Sequence, residues 1–213
     1  MCFSVKKPMS KNAQPIDCKV RSRIYGRGRG WVFTPRHFQD LGHSAAIDSA
    51  LRRFRAEGTI RQLARRLYDY PTQDSVLGFV TPSADAIARA LVVRDAIRLQ
   101  PAGAYAANIL GLSEQVPTRI AFLTDGPSRK VKIGRREICL QHTTPRNMAT
   151  AGRESGTVIQ ALRYLGQNQV DDRARAALHR HLGKVDQSAL KKDLAYAPAW
   201  IADLLQPMLA SAS

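Results

Sequence analysis

Residues 30–71 read GWVFTPRHFQDLGHSAAIDSALRRFRAEGTIRQLARRLYDYP, and this stretch decides the fold of the N-terminal part of the chain. Trp31–Phe33 is a short apolar run that fits a small strand. Thr34 then supplies a hydroxyl at a helix N-cap, and Pro35 takes the first helical position, where its missing N–H is harmless. We expect Gly42 to end this short helix in a left-handed turn.

A second helix is predicted to begin with Ser44 as its cap and to close at Gly58. Its apolar residues fall at i, i+3, i+4 and i+7, which makes a single stripe for the core. These residues are Ile47, Ala50, Leu51 and Phe54. Two β-prone runs, 60–63 and 67–70, then flank an arginine-rich turn and stop at Pro71. This order of elements predicts a winged helix-turn-helix.

The side of the second helix that faces away from the stripe is polar and basic. In a helix-turn-helix the second helix enters the major groove of DNA, and its N-terminal residues meet the base edges. The residues expected near the bases are His43, Ser44, Asp48 and Ser49. Those expected at phosphates are Arg52, Arg53 and Arg55 on the helix, Arg61, Arg65 and Arg66 in the wing, and Arg27, Arg29 and Arg36 before the helix.

A run of charge is most often only a solvated face. Here basic residues lie on both sides of the same helix, which is what base reading combined with phosphate contacts requires. The distribution of charge agrees with this, because the formal charge of +16 is uneven. Residues 1–71 hold fifteen Lys and Arg against five Asp and Glu, and the remaining residues hold eighteen against twelve. A polyanionic partner is therefore expected, bound mainly by the first third of the chain.

The chain is expected to divide into a flexible basic arm (1–14), a DNA-binding domain (15–71) and an α+β domain (72–213). In the first domain, residues 15–25 are predicted to form a supporting helix that ends at Gly26. In the second, Ser83 caps a helix, residues 103–110 form another, and the pattern is helical again from Pro145. Three strands between them, at 119–123, 129–133 and 137–141, predict a small antiparallel sheet. The predicted fold class is α+β, with a small sheet and C-terminal helices.

Several broad classes of protein do not fit the sequence. No stretch approaches the roughly 20 apolar residues that cross a bilayer, and the N-terminus lacks the apolar core of a signal peptide. The three cysteines, Cys2, Cys18 and Cys139, are an odd number without a C-x-x-C pair. A cytoplasmic protein with reduced thiols and no metal or cofactor is expected.

The sequence also resembles a known bacterial family. The resemblance is carried by RIYGRGRGWVFTPRHF…LG…AAIDSALRRF…GTIRQLARRLYDYP, then by QPAGAYAANILGLS and FLTDGPSRKVKIG, and covers about residues 15–170. These segments are similar to the AbiEi-like antitoxins of type IV toxin–antitoxin systems and to a closely related family of unknown function. The pairing of the N-terminal motif with the two later segments is more distinctive than the motif alone.

The resemblance implies a function for each part of the chain. The winged helix would bind inverted repeats in the promoter of its own operon and repress it. The C-terminal domain would counteract a co-transcribed toxin with a nucleotidyltransferase fold. Carried over by motif position, the DNA contacts fall on the 43–55 helix and the 61–66 wing. The family supplies no catalytic residues, so the chain is not expected to be an enzyme.

Two alternatives remain open. One is a transcription factor whose second domain binds a ligand or dimerises, with no toxin involved. The other is a Mg²⁺-dependent nuclease using Asp125 and Glu137, since paired carboxylates near a strand turn can hold Mg²⁺. Against it, a carboxylate in a Thr-Asp-Gly-Pro turn usually bonds the turn backbone. Cys139 and His142 lie three apart on a predicted strand and therefore point to opposite faces.

Overall fold

A computed structural model of the chain describes residues 15–76, 78–134, 136–183 and 185–210. The predicted basic arm, 1–14, lies outside the described residues. The fold is mixed α+β, as expected, with small sheets and C-terminal helices. The chain divides into two compact units, Met1–Pro82 and Ser83–Ser213.

The first unit combines helices with short strands. Its helices are α1 (Ile16–Arg27), a 3₁₀ helix (Pro35–Leu41) and α2 (Ser44–Ala56). Its strands β1 (Val32–Phe33), β2 (Arg61–Ala64) and β3 (Leu67–Asp69) form an antiparallel sheet in the order β1-β3-β2. A two-stranded antiparallel ribbon, β4 (Gln73–Asp74) with β5 (Gly78–Phe79), follows β3.

The predicted apolar stripe of α2 forms the centre of this unit. Its four residues are buried and pack with Val20 and Ile24 of α1 and with Phe33 and Phe38. Phe33 and Phe38 meet edge to face, with ring centroids 5.5 Å apart. Burying such side chains removes a large apolar area from water, which is the main contribution to the stability of a small unit.

Two predicted helix boundaries in this unit, and the conformation predicted for Gly42, need correction. Helix α1 passes through Gly26 and ends at Arg27, with Gly28 as its C-cap at a positive φ of 82°. Gly42 is nearly extended, with φ 159° and ψ −166°, and its role is close approach, because a Cβ there would lie 2.5 Å from Ile16 Cδ1. Helix α2 begins at Ser44, so the N-cap position belongs to His43 and not to Ser44.

The second unit packs helices around a four-stranded sheet. The helices are α3 (Ala84–Asp95), α4 (Gly103–Ile109), α5 (Glu154–Leu165), α6 (Asp172–Leu182), α7 (Gln187–Asp193) and α8 (Ala199–Ala210). The strands are β6 (Leu99–Ala102), β7 (Arg119–Thr124), β8 (Arg129–Ile133) and β9 (Arg136–His142). Ser83 caps α3 as predicted, its hydroxyl accepting from the backbone N–H of Ala86 at 3.2 Å.

The order of this sheet is β6-β7-β9-β8, so β9 lies between two strands that precede it in the chain. Strands β8 and β9 form an antiparallel hairpin, and β9 pairs with β7 in parallel. The Thr124–Pro127 turn therefore carries the chain across the width of one strand, about 9–10 Å from β7 to β8. The β-propensity of the residues predicts the individual strands, but it does not predict their order in the sheet.

The helices of the second unit share an apolar core. It includes Val158 and Leu162 of α5, Leu178 of α6 and Leu205 of α8. Among the described residues, no helix is both long and apolar enough to cross a membrane.

Candidate nucleic-acid interface

The solvent side of α2 is the most distinctive polar surface of the first unit. Ser44, Ala45 and Arg52 are exposed, and Asp48 and Ser49 are half-buried. The same helix turns its apolar stripe into the core, so these residues point outward by helical geometry. The predicted division of α2 into a core side and a polar side is therefore confirmed.

The turn between β2 and β3 lies beside the N-terminal half of α2. Arg66, at the left-handed position of this turn (φ 56°), places both Nη atoms 3.5 Å from the carboxylate oxygens of Asp48. About two turns further along α2, Arg55 Nη1 donates to Gln62 Oε1 of β2 at 2.5 Å. The hairpin and the helix thus present one continuous basic surface.

Arg52 lies on the same solvent side of α2. It is exposed and makes no hydrogen bond or ion pair with the part of the chain that the structure describes. Arg65, in the turn, and Arg36, on the 3₁₀ helix, are exposed as well. The Arg52 guanidinium can therefore approach a phosphate without first breaking an internal bond.

Two further predicted contact residues, Arg53 and Arg61, also have internal partners. Arg53 pairs with Asp17 of α1, on the side of α2 away from the hairpin. Arg61 makes a two-pronged bond to Asp69, which is 1% exposed, and also donates to the carbonyl of Val80 at 2.9 Å. Removing Arg61 would leave a buried carboxylate without its partner, so we interpret Arg61 as a structural residue.

Arg27 and Arg29 lie near the end of α1 and are held by aromatic rings. The Arg27 guanidinium lies 5.8 Å from the centre of the Trp31 ring, and that of Arg29 lies 4.9 Å from the centre of Tyr70. Arg29 also donates to the carbonyl of Pro71 at 2.9 Å. Both residues remain exposed, so each fixed guanidinium still has N–H groups for a phosphate.

Every carboxylate between residues 15 and 71 is paired with an arginine. The pairs are Asp17–Arg53, Asp40–Arg23, Asp48–Arg66, Glu57–Arg21 and Asp69–Arg61. Twelve Lys and Arg stand against these five carboxylates in the same residues, which leaves an excess of seven positive charges. The excess includes Arg52, Arg55 and Arg65, which surround the polar side of α2. The surface potential there is positive and suited to a polyanion.

Burial also sets the protonation of one residue near this surface. Burial lowers the pKa of His37, and repulsion from Arg27 and Arg23 acts in the same direction. The backbone N–H of Thr34 donates to His37 Nδ1 at 3.1 Å, which requires that nitrogen to be unprotonated. Neutral His37 therefore stabilises the start of the 3₁₀ helix. This helix precedes α2 and sets the direction in which the chain enters α2. The cap at Thr34 is predicted from the sequence, whereas its partner His37 is not.

The two carboxylates of the nuclease hypothesis do not meet. Glu137 is opposite Arg119 at the start of β7, whereas Asp125 follows the end of β7, so about 20 Å separates them along the strands. Asp125 accepts from the backbone N–H and Nε of Arg98, at 2.8 and 2.9 Å, and this bonding lowers its pKa. Glu137 pairs with Arg119 and Lys130. No group of metal-ligating side chains occurs among the described residues.

The Cys139–His142 pair is also separated. Cys139 is buried and His142 is exposed, which agrees with opposite faces of β9.

The chain is thus a two-unit α+β protein with a basic helix-and-hairpin surface on its first unit. It belongs to the family described as "Family of unknown function (DUF6088)", whose profile matches residues 19–190. Comparison with curated proteins gives no match.

Proposed function

We propose that the chain is a cytoplasmic, DNA-binding autorepressor and the antitoxin of a type IV toxin–antitoxin system. Its first unit acts as a winged helix-turn-helix on double-stranded DNA, at inverted repeats in its own promoter. Its second unit counters a toxin with a nucleotidyltransferase fold. The two halves of this proposal rest on different support.

One observation carries the DNA-binding half: the basic side of α2 continues into the β2–β3 hairpin. In winged-helix recognition the second helix lies in the major groove while flanking elements contact the backbone. Ser44, Asp48 and Ser49 would then face base edges. Arg52 and Arg55, further along α2, would face phosphates together with the turn residues Arg65 and Arg66.

The antitoxin half rests on the resemblance of the sequence to the AbiEi-like antitoxins. That resemblance includes two segments of the second unit, QPAGAYAANILGLS and FLTDGPSRKVKIG. In the structure these segments form β6 with α4, and the end of β7 with β8. They support neutralisation as a property of this unit without identifying the surface that performs it.

A gel-shift titration tests DNA binding directly. The protein is titrated against its own upstream DNA and against a scrambled duplex of equal length, near physiological salt. We expect a clear preference for the native promoter, because base contacts discriminate sequences while phosphate contacts do not. Equal binding to both duplexes that is lost on raising the salt would show that the first unit binds DNA only through its charge, without sequence specificity.

Co-expression tests neutralisation. The chain is expressed with the neighbouring nucleotidyltransferase-like reading frame, and growth is compared with expression of that frame alone. Restored growth supports the antitoxin. Absence of such a neighbour, together with promoter binding, would favour the transcription factor without a toxin.

A cleft in the second unit favours that transcription factor as the second candidate. The cleft has a volume of about 510 Å³ and lies between α3, β6 and the start of α5, with Val92, Leu99 and Phe122 among its apolar lining. This size is in the range of small-molecule sites. A metabolite that occupies it and changes promoter affinity would establish a ligand-responsive regulator.

A further inference from the structure

Arg146 and Arg163 of the second unit are held side by side. Arg146 Nη2 donates to the carbonyl of Ala195 at 3.4 Å, and Arg163 Nη2 donates to the carbonyl of Tyr196 at 3.0 Å. Because these carbonyls belong to consecutive residues, the two guanidiniums converge on one place at the end of the 3₁₀ helix Leu194–Tyr196. Like charges are thereby brought together.

A carboxylate is missing from this place. Six other arginines of the second unit do have one, in the pairs Arg94–Asp95, Arg98–Asp125, Arg119–Glu137, Arg129–Asp95, Arg153–Asp193 and Arg173–Glu114. The described partners of Arg146 and Arg163 are neutral: the two backbone carbonyls and Asn147 Oδ1, which accepts from Arg163 Nη1 at 2.6 Å. The partial charge of carbonyl groups offsets only a fraction of two full cations.

The environment of Arg163 adds to this imbalance. Its Nε is buried and bonds to no atom of the described residues. Burial and the nearby charge of Arg146 lower the pKa of the Arg163 guanidinium. An uncompensated, partly buried cation next to a second one is unfavourable unless a counter-charge is supplied from outside the chain.

We propose that Arg146 and Arg163 form a binding site for a phosphate group, as a free monoester or within a phosphodiester backbone. Paired guanidiniums present several N–H donors in a planar arrangement that suits the oxygens of a tetrahedral anion. Asn147 orders the flanking loop by donating to Thr143 Oγ1 at 2.9 Å, so the site is supported on both sides of Arg163. All of its residues belong to the second unit, so the site does not depend on the proposed DNA surface.

A titration followed by two-dimensional amide NMR on the full chain tests the site. Inorganic phosphate is added at constant pH and ionic strength, and the backbone amide signals of residues 143, 144, 146, 147 and 195–197 are followed. We expect saturable shifts in the wild type. In Arg146→Ala the apparent affinity should fall about tenfold, because one charged hydrogen-bonding partner is lost. Arg146 is exposed, so this variant retains the fold.

Two variants sharpen the result. Arg180→Ala removes an exposed positive charge of α6 in the same unit and should bind phosphate like the wild type. Arg163→Lys keeps the charge but loses the planar fork and should bind more weakly. Equal affinity in the wild type and Arg146→Ala would overturn the site, as would shifts that rise linearly with concentration in all variants.

The source of the phosphate is separated by two further titrations. Adenosine monophosphate presents a monoester, and the dinucleotide UpU presents a single phosphodiester. Binding of the monophosphate alone assigns a small-molecule site, and binding of both assigns a contact to the nucleic-acid backbone. Acetate serves as the carboxylate control, and equal binding of acetate would contradict the preference for phosphate.

Discussion

Asp48 is the carboxylate on the polar side of α2, and its position gives it two opposed effects. It repels phosphates, yet it can accept a hydrogen bond from a base amino group such as cytosine N4. Its distance of 3.5 Å to Arg66 is the longest among the five ion pairs of residues 15–71. Both side chains are well exposed, so the pair contributes little stability and is easily exchanged for a DNA contact.

Replacing Asp48 with Asn should therefore increase affinity for scrambled DNA more than for the promoter. The substitution removes the repulsion and the base-accepting carboxylate while keeping the size of the side chain. Gel shifts on both duplexes measure the ratio. Glu57→Gln, which neutralises the carboxylate paired with Arg21 at the far end of α2, is the matched control. An unchanged ratio in Asp48→Asn would exclude a role in sequence discrimination.

His37 makes the first unit sensitive to acid. Its pKa is lowered in the folded state relative to 6.5, so the unfolded chain takes up the proton first as pH falls. Stability is fully present above pH 6.5 and is lost as the pH falls below it towards the folded-state pKa. His37→Asn keeps a hydrogen-bond acceptor near Thr34 and removes this titration.

We expect the melting temperature of the wild type to fall more steeply than that of His37→Asn between pH 7.5 and 5.5. Thermal unfolding followed by circular dichroism measures both slopes. His43→Asn changes an exposed histidine of the same unit and should behave like the wild type. Parallel slopes in the wild type and His37→Asn would mean that the pKa of His37 does not differ between the folded and unfolded states.

At the scale of elements, α2 joins the core of the first unit to its polar surface. Phe54 shows the core side: it is 1% exposed, and the Arg21 guanidinium covers its ring at 4.8 Å. Arg52 and Arg55 belong to the polar side of α2, which lies next to the β2–β3 hairpin. Arg53 lies on a third side, towards α1. The same helix thus supplies variants whose effects on stability and on binding can be separated.

Phe54→Ala should lower the free energy of unfolding of the first unit by about 3–5 kcal/mol, as for buried aromatic residues generally. Urea unfolding, with Trp31 as the fluorescent reporter in a Trp200→Phe background, measures this change. Phe79→Ala, at a ring that is 58% exposed, is the control and should cost much less. A loss no larger than the control's would place Phe54 outside the core.

The double variant Arg52→Ala/Arg55→Ala should bind DNA more weakly and with a shallower salt dependence. Each lost phosphate contact reduces the log–log slope by about 0.9, so we expect a change of about 1.8. Arg21→Ala/Arg53→Ala removes the same charge from the α1 side and should leave the slope nearly unchanged. Equal slopes in the two double variants would mean that DNA does not lie on the hairpin side of α2.

At the scale of the whole molecule, the charge of +16 dominates association. With seven surplus cations between residues 15 and 71, nonspecific binding can involve six or more phosphates. Affinity for scrambled duplex should then fall on the order of 10³-fold or more between 50 and 200 mM salt. A filter-binding series in increasing salt measures this dependence. A change of less than tenfold would restrict the contact to one or two phosphates.

The sequence predicted the elements of the molecule better than their relations. Periodicity identified the α2 stripe and strands β7, β8 and β9, because local burial patterns reflect local geometry. It could not show that Arg61 and Arg53 have internal partners, since those ion pairs depend on residues eight and 36 positions away. It placed the end of α1 at Gly26 because either glycine could have adopted the left-handed conformation that Gly28 takes.

The insertion of β9 between β7 and β8 has a consequence for synthesis on the ribosome. Strand β7 emerges early and can pair with β6, but its other neighbour is not complete until His142 has been made. Until then β7 offers a row of unsatisfied backbone groups to any other chain. A nascent chain that stalls between residues 125 and 142 would therefore be prone to aggregation, and the β8–β9 hairpin must dock as a unit to end that exposure.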